Sequence, residues 1–136
     1  MDHGKYSKSF KINDREPVEI NPIDAENRGL KDGDIVKLFN DRGACLAGVK
    51  IEKKVMQGVA QISTGAWYDP QNPMEHGSIC KHGNPNILTR DKGTSKLGQG
   101  PIAHSCLVEM EKYNDKPPKL TAHEPPVIIR LDDSLN

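Results

Sequence analysis

Apolar positions in this chain gather into short runs, each closed by Gly, Pro, Asn or Asp. Such punctuation predicts several short strands and few helices. Glu16 to Ile20 reads as a short strand. Asn21-Pro22-Ile23-Asp24-Ala25 then starts a helix: Asn21 suits the N-cap, Pro22 the first helical position, and Asp24 the positive helix end. Gly29 supplies a stop about two turns later, and Asp32-Gly33 marks a turn. Ile35 to Phe39 is the next strand. Asp41-Arg42-Gly43 reads as a hairpin loop with Gly43 at the left-handed position, and Ala44 to Glu52 returns as the partner strand. Lys53 to Gly58 is another turn, and Val59 to Ser63 alternates apolar and polar side chains as a half-buried strand does. Ser105 to Glu111 is the last clear strand, with Cys106, Val108 and Met110 on one face.

The pattern predicts a mainly β fold with short helices. A small closed barrel satisfies it best, because closure removes unpaired sheet edges. Residues 1–15 are polar and charged and read as an N-terminal arm; residues 16–113 form the body. Residues 114–136 form a Pro-rich tail, in which Pro117-Pro118 and Pro125-Pro126 favour extended chain and Val127-Ile128-Ile129 is an apolar run suited to docking on the body.

One long stretch fits no periodic element. From Trp67 to His104 the chain exceeds the usual loop length, and such loops are functional or disordered. Within it, Lys81 to Gly100 carries hydrogen-bonding side chains at nearly every second position and three glycines after Pro85. Ordering such a segment costs entropy and buries little apolar surface, so it either stays mobile or is held by a polar ligand.

Composition narrows the candidates for that ligand. The 136 residues suffice for one core, although only 35% are apolar and 4% aromatic. Nineteen basic and nineteen acidic residues cancel, which argues against a dedicated nucleic-acid or membrane-surface binder. No apolar run approaches the length of a membrane span, and Met1 to Lys11 has no apolar segment of the secretory-signal kind. Cys45, Cys80 and Cys106 are odd in number and lack C-x-x-C spacing, so neither a disulfide framework nor a structural zinc site is expected. Lys81 and His82 beside Cys80 could activate its thiol, but with no second catalytic element in sequence the inert reading is favoured.

His76, His82, His104, Glu75 and Cys80 match no standard zinc spacing and read as scattered surface groups, so no metal ligand is assigned. Gly83, Gly93, Gly98 and Gly100 form neither phosphate-loop pattern, although a nest of backbone N–H groups remains open. Ser63, Ser95 and Ser105 lack a nucleophile-elbow context, so no catalytic residue is assigned. Ser63-Thr64-Gly65-Ala66-Trp67-Tyr68 reads two ways. Its small Gly-Ala step and two aromatics could admit a planar ligand against the backbone, or they could cap a barrel end.

The order of motifs is more specific than any one of them. Glu16-Pro-Val-Glu-Ile-Asn-Pro-Ile-Asp-Ala25 is followed by Gly33-Asp34, Phe39-Asn-Asp-Arg-Gly43, Gly65-Ala-Trp-Tyr68, Gly83-Asn-Pro-Asn-Ile-Leu-Thr89, Gly93-Thr-Ser-Lys-Leu97 and Val108-Glu-Met-Glu-Lys-Tyr113. From about Asp2 to Pro126 the chain resembles the C-terminal domain of the molybdopterin-dinucleotide oxidoreductases, in the branch of dimethyl sulfoxide, trimethylamine N-oxide and biotin sulfoxide reductases. The resemblance implies a double-psi β-barrel that closes over a bis(molybdopterin guanine dinucleotide) molybdenum cofactor. It implies that Gly65, Ala66 and Trp67 line the cofactor. Asn84 and Asn86 are implied to hydrogen-bond the pterin or its phosphates, since carboxamides both donate and accept. His82 is counted with them, and Thr94 and Ser95 are weaker candidates. His104 stands where relatives often carry Gln.

Such enzymes place metal ligation and substrate reduction in larger N-terminal domains, which would be this domain's partners in the same bacterial parent enzyme. Their His-rich cofactor motif precedes the position of Asp2, so the expected chain is a fragment, with room for a missing first barrel strand, and empty of cofactor by itself. Periplasm and cytoplasm both remain open. The competing expectation is a stand-alone double-psi barrel acting as a small subunit or adaptor without a catalytic role. A chaperone-like barrel is weaker, because His82 to Gly100 has no purpose there.

Overall fold

The computed structural model describes residues 2–125. Its elements are α1 (Lys5–Ser9), β1 (Pro17–Ile20), α2 (Pro22–Asn27), β2 (Ile35–Phe39), β3 (Ala44–Ile51), β4 (Ala60–Ile62), a 3-10 turn (Pro85–Ile87) and β5 (Glu109–Lys112). The strands form one open mixed sheet in the order β4-β1-β3-β2-β5. Only β1 and β3 run parallel, with Pro17 opposite Gly48 and Ile20 opposite Ile51; every other pair is antiparallel. The fold is thus mainly β with short helices, as the residue pattern predicts, and its two sheet edges are β4 and β5.

Strand β3 is the centre of the core. Ala44 to Val49 are buried without a break, so both faces of this strand are covered. Val18, Ile20, Val36, Leu38, Cys45, Val49, Cys80 and Leu88 pack together, and Ile62, Ile87, Cys106, Val108 and Met110 lean on them. Cys106, Val108 and Met110 therefore share a face as expected, although regular pairing in β5 begins only at Glu109. β4 is more exposed than its alternating sequence suggests, because it is an edge strand with only Ile62 reaching the core.

Local signals at α2 act as predicted. Asn21 accepts the Ile23 N–H at 2.9 Å and donates to Val55 O at 2.8 Å, fixing both the helix start and the turn beyond. Gly29 ends the helix at φ +62°, a left-handed conformation that glycine adopts freely. Gly43 differs from expectation. It is not among the glycines with positive φ. A Cβ there would meet Ile87 Cγ1 at 2.6 Å, so close packing and not backbone conformation demands glycine.

Residues 2–15 do not hang free. Asp2 is buried, Lys11 is enclosed, and Ile12 and Arg15 form a small bridge over the sheet. The packing is tight: a Cβ on Gly48 would lie 2.4 Å from Ile12 Cβ and 3.0 Å from its carbonyl. The described part of the tail also touches the body, through Arg15 Nη2 on Pro118 O at 2.7 Å. The docking expected of Val127-Ile128-Ile129 lies outside the described residues. Gly48→Ala is expected to lower unfolding free energy by about 1–3 kcal/mol by overpacking, measured as a reduced urea midpoint with an unchanged slope.

Candidate functional site

Two adjoining cavities open beside the sheet. The larger, about 830 Å³, is walled by Val18, Ile20, Leu38, Ile62 and Met110 and rimmed by Ser63, Thr64, Thr89 and His104. Both edge strands contribute to its wall. The smaller, about 510 Å³, is lined by Asn86, Thr89, Arg90, Asp91, Lys92, Gly93 and Gln99. Thr89 and Ala103 line both, so the cavities are neighbours. An apolar wall with a few polar groups at its rim is the usual make-up of a small-molecule site.

The hairpin between β2 and β3 positions the wall between them. Asn40 Nδ2 donates to Leu88 O at 2.9 Å and to Leu107 O at 3.1 Å, and Arg42 Nε donates to Leu88 O at 2.7 Å. Asn84 caps the 3-10 turn, its Oδ1 accepting the Asn86 N–H at 2.9 Å. Asn86 is then left exposed and lines the smaller cavity. Thr94 and Ser95 sit in a tight exposed turn, where Ser95 Oγ accepts the Gly98 N–H at 2.8 Å.

A second polar group lies elsewhere, around Trp67. His82 is 1% exposed, with Nδ1 3.1 Å from Trp67 O. Asp2 Oδ2 accepts the Trp67 N–H at 3.2 Å and lies 3.0 Å from His123 Nε2. Lys11 Nζ is 2.6 Å from Asp2 Oδ1 and also contacts Glu16. Burial alone would raise the Asp2 pKa, but hydrogen bonds from Lys11, His123 and the Trp67 N–H, with the charge of His82, bring it down to about 2. Burial lowers the His82 pKa, only partly opposed by Asp2, so the ring favours its neutral form. Beside this cluster, Asp69 accepts from Thr121 N–H and Oγ1–H at 2.7 and 2.6 Å and pairs with Lys81 at 3.2 Å. This clamp holds the tail against the body.

The predicted site residues therefore separate. Trp67 and His82 meet around Asp2, with Ala66 buried next to them. His104 faces the larger cavity and Asn86 the smaller. Gly65, at φ +111°, has open space where a Cβ would stand, so only glycine suits its backbone and nothing crowds it. His82 supports Trp67 and presents no surface of its own. Of the groups read as scattered on the surface, Glu75, His76 and His104 are exposed, whereas His82 and Cys80 are buried, because residues 80–82 lie against β3. Cys80 is fully buried, as an inert thiol should be, and burial with the neighbouring thiols of Cys80 and Cys106 pushes Cys45 up to about 12. Asp2, Lys11, Asp69, Lys81, Thr121 and His123 escaped the sequence reading, because their partners lie far along the chain.

A mainly β body with a paired polar-rimmed cavity describes a binding domain for a sizeable, polar-edged ligand. The chain belongs to the Molydopterin dinucleotide binding domain family, which it matches over residues 2–107. It is 51% identical over 107 residues to trimethylamine-N-oxide reductase 1 of Escherichia coli (strain K12), an alignment that covers 79% of this chain and 13% of that protein. It is 48% identical over 120 residues to the trimethylamine-N-oxide reductase of Salmonella typhimurium, covering 88% of this chain and 14% of the relative. For the Vibrio parahaemolyticus enzyme the figures are 45% over 125 residues, 92% and 15%. The chain thus spans a small part of these relatives' lengths. Among solved structures, acetylene hydratase from Pelobacter acetylenicus shares the fold at TM-score 0.55 and 17% identity, covering 72% of this chain and 14% of that one.

The Asp69 clamp sets an acid limit on stability. Burial raises the Asp69 pKa, but the two Thr121 bonds and Lys81 outweigh it, so the folded value lies below the ordinary 3.8. A lowered folded pKa contributes stability above the unfolded value and loses it as pH falls toward the folded one. Melting temperature is therefore expected to fall between about pH 5 and 3. Asp69→Asn should cost about 3 kcal/mol at neutral pH, by leaving Lys81 buried without its charge partner, and should flatten that acid slope.

Proposed function

We propose that this chain is the cofactor-closing domain of a molybdenum-dependent oxidoreductase that reduces N- or S-oxides, with trimethylamine N-oxide the first substrate to test. The observation that carries the reading is the family match over 2–107 on a body whose two cavities share Thr89 and Ala103. The donor set fits a pterin dinucleotide. Ser63, Thr64, Thr89, His104 and Asn86 offer the mixed donors and acceptors that a pterin edge needs. Arg90 and Lys92 offer positive charge for phosphates next to them. The apolar wall excludes water behind them.

In this reading Asn86 and His104 hold the heterocycle, Arg90 and Lys92 hold phosphate, and Gly65 to Trp67 form a neighbouring lining strip. The bound bis(molybdopterin guanine dinucleotide) molybdenum centre supplies two-electron oxygen-atom transfer. This chain's residues bind, orient and desolvate the group and hold no metal ligand for it. The open sheet is read as part of a double-psi β-barrel whose remaining edge pairing comes from the rest of the parent enzyme. The relatives, each several times longer than this chain, favour a domain of a large enzyme over a stand-alone small subunit or adaptor.

The complete parent protein, purified and assayed with a reduced dye, should contain molybdenum and reduce trimethylamine N-oxide. Full-length protein with neither would overturn the assignment. Within that enzyme two asparagines should behave differently. Asn86→Ala should lower molybdenum and pterin content several-fold with little change in melting temperature. Asn84→Ala should cost about 1 kcal/mol of stability through the lost cap. If Asn86→Ala keeps full molybdenum content and merely melts earlier, its cofactor role is wrong.

A further inference from the structure

The two ends of the described chain meet at one buried point. Asp2 Oδ2 lies 3.0 Å from His123 Nε2 and 3.6 Å from His82 Nδ1, and the three atoms all fall within 4.8 Å of one another. We propose that Asp2, His82 and His123 form a site for a first-row divalent metal ion of the zinc(II) class, which staples the two ends of the described chain together beside Trp67. This site is separate from the cavities assigned above to the dinucleotide and takes no part in the proposed reduction.

Geometry supports it first. Zinc bonds to His nitrogen and carboxylate oxygen of about 2.0–2.2 Å place tetrahedral ligand atoms roughly 3.4 Å apart. The two distances from Asp2 bracket that value. The two histidines need to close by about 1.4 Å at most to meet it. His123 can supply the movement, since its side chain is 21% exposed while those of His82 and Asp2 are 1% and 2% exposed.

The ligand chemistry agrees. Two imidazoles and one carboxylate are common donors for zinc and its neighbours in the first transition row. The carboxylate is oriented on both oxygens: Lys11 holds Oδ1, and the Trp67 N–H steadies Oδ2. Such outer contacts fix a ligand in place and sharpen a site. Lys11 faces two carboxylates, Asp2 and Glu16, so this enclosed group carries one surplus negative charge when the rings are neutral. A divalent cation offsets it. Rings surround the cluster: His82 and His123 pack edge to face at 5.1 Å, and His123 stands at 5.1 Å from Trp67 and 4.7 Å from His3.

Neutral imidazole ligands need no net proton release. The proton on the ligating nitrogen of each ring moves to the other ring nitrogen, and the freed lone pair faces the metal; at His82 the metal bond replaces the 3.1 Å hydrogen bond of Nδ1 to Trp67 O. Spacing rules missed the site because its ligands stand at positions 2, 82 and 123, with no pair in a local motif.

The test uses the whole chain, produced without a histidine tag and stripped with a chelator. Cobalt(II) titration should give one ion per chain with the visible bands of a low-coordinate site, displaced by zinc(II). One equivalent of zinc(II) should raise the melting temperature. His123→Ala should weaken cobalt binding roughly tenfold or more and abolish the thermal shift, and Asp2→Asn should do the same. A His76→Ala/His104→Ala double variant should bind like the parent. Absence of cobalt uptake, equal uptake by His123→Ala, or loss of uptake in the double variant would each overturn the proposal. Should Asp2→Asn fail to fold, His123→Ala decides alone, because its ring is on the accessible side.

Discussion

Everything in this domain depends on how one edge of β3 is shared. β3 is buried at its centre, so its backbone groups have no water to turn to. β2 serves one edge from Ala44 to Gly48, and the turn before β2 continues it, with Gly33 N–H to Val49 O and Val49 N–H to Asp34 O, both at 2.8 Å. The other edge is served by two segments placed end to end. Residues 80–82 serve the first half, through Leu46 N–H to Cys80 O at 2.9 Å and Cys80 N–H to Ala44 O at 2.9 Å. β1 serves the second half, beginning with Gly48 N–H to Glu16 O at 3.0 Å. The segments meet where Glu16 N–H donates to His82 O at 3.2 Å. Gly83 sits at this junction at φ +89°, and a Cβ there would stand 2.8 Å from Glu16 Cβ and 3.2 Å from Leu46 O. Glycine is required twice over, by conformation and by space.

That junction explains why charged groups are found inside so small a body. Joining residues 16 and 82 brings the N-terminal segment and the loop from Asp69 to His82 side by side beneath the tail. Buried charges survive only when paired and hydrogen-bonded. Here Lys11 lies between Asp2 and Glu16, and Lys81 lies between Asp69 and Thr121. Removing a single partner strands the other in low dielectric, so each pair acts as a lock on the arrangement more than as a source of net stability. Arg15 shows the cost: its two terminal nitrogens reach Asn13 O and Pro118 O, while its buried Nε has no partner among the described residues.

Local chemistry was legible in the sequence wherever local chemistry decides. Asn21-Pro22, Asp32-Gly33 and the Ile35–Phe39 run each reported an interaction closed within a few residues, and each element stands where it was read. The motif order of Gly65-Ala-Trp-Tyr68 and Gly83-Asn-Pro-Asn86 carried the family, which the match over residues 2–107 shows and local periodicity does not. Two features were misread for the same physical reason. Gly43 looked like a turn glycine, but its constraint comes from Ile87, far along the chain. Lys81 to Gly100 looked uniformly polar, yet Lys81, His82, Gly83, Pro85 and Leu88 are buried, and only the part beyond Thr89 is largely exposed. A buried Lys or His cannot be told from an exposed one until its partner is known. Asp2, Asp69, Thr121 and His123 were invisible as partners for that reason.

The division within that polar stretch has a mechanical consequence. His82, Gly83 and Asn84 are consecutive but belong to three different tasks: a ring backing Trp67, a backbone crossing under Leu46, and the cap of the 3-10 turn. The turn in turn presents Asn86 to the smaller cavity, and Leu88 O just after it is gripped by Asn40 and Arg42. A short chain fixed at four points, His82, Gly83, Asn84 and Leu88, has few soft dihedrals left, so the cavity wall inherits its position from the core and not from loop packing. This resolves the cost of ordering the polar run. Its first half is ordered by burial against β3, whereas the half from Arg90 onward is largely exposed and buries little surface to offset its entropy; in the proposed reading the ligand supplies that offset. Arg90 and Lys92, proposed above to hold that ligand's phosphates, stand where the core's hold on the chain ends.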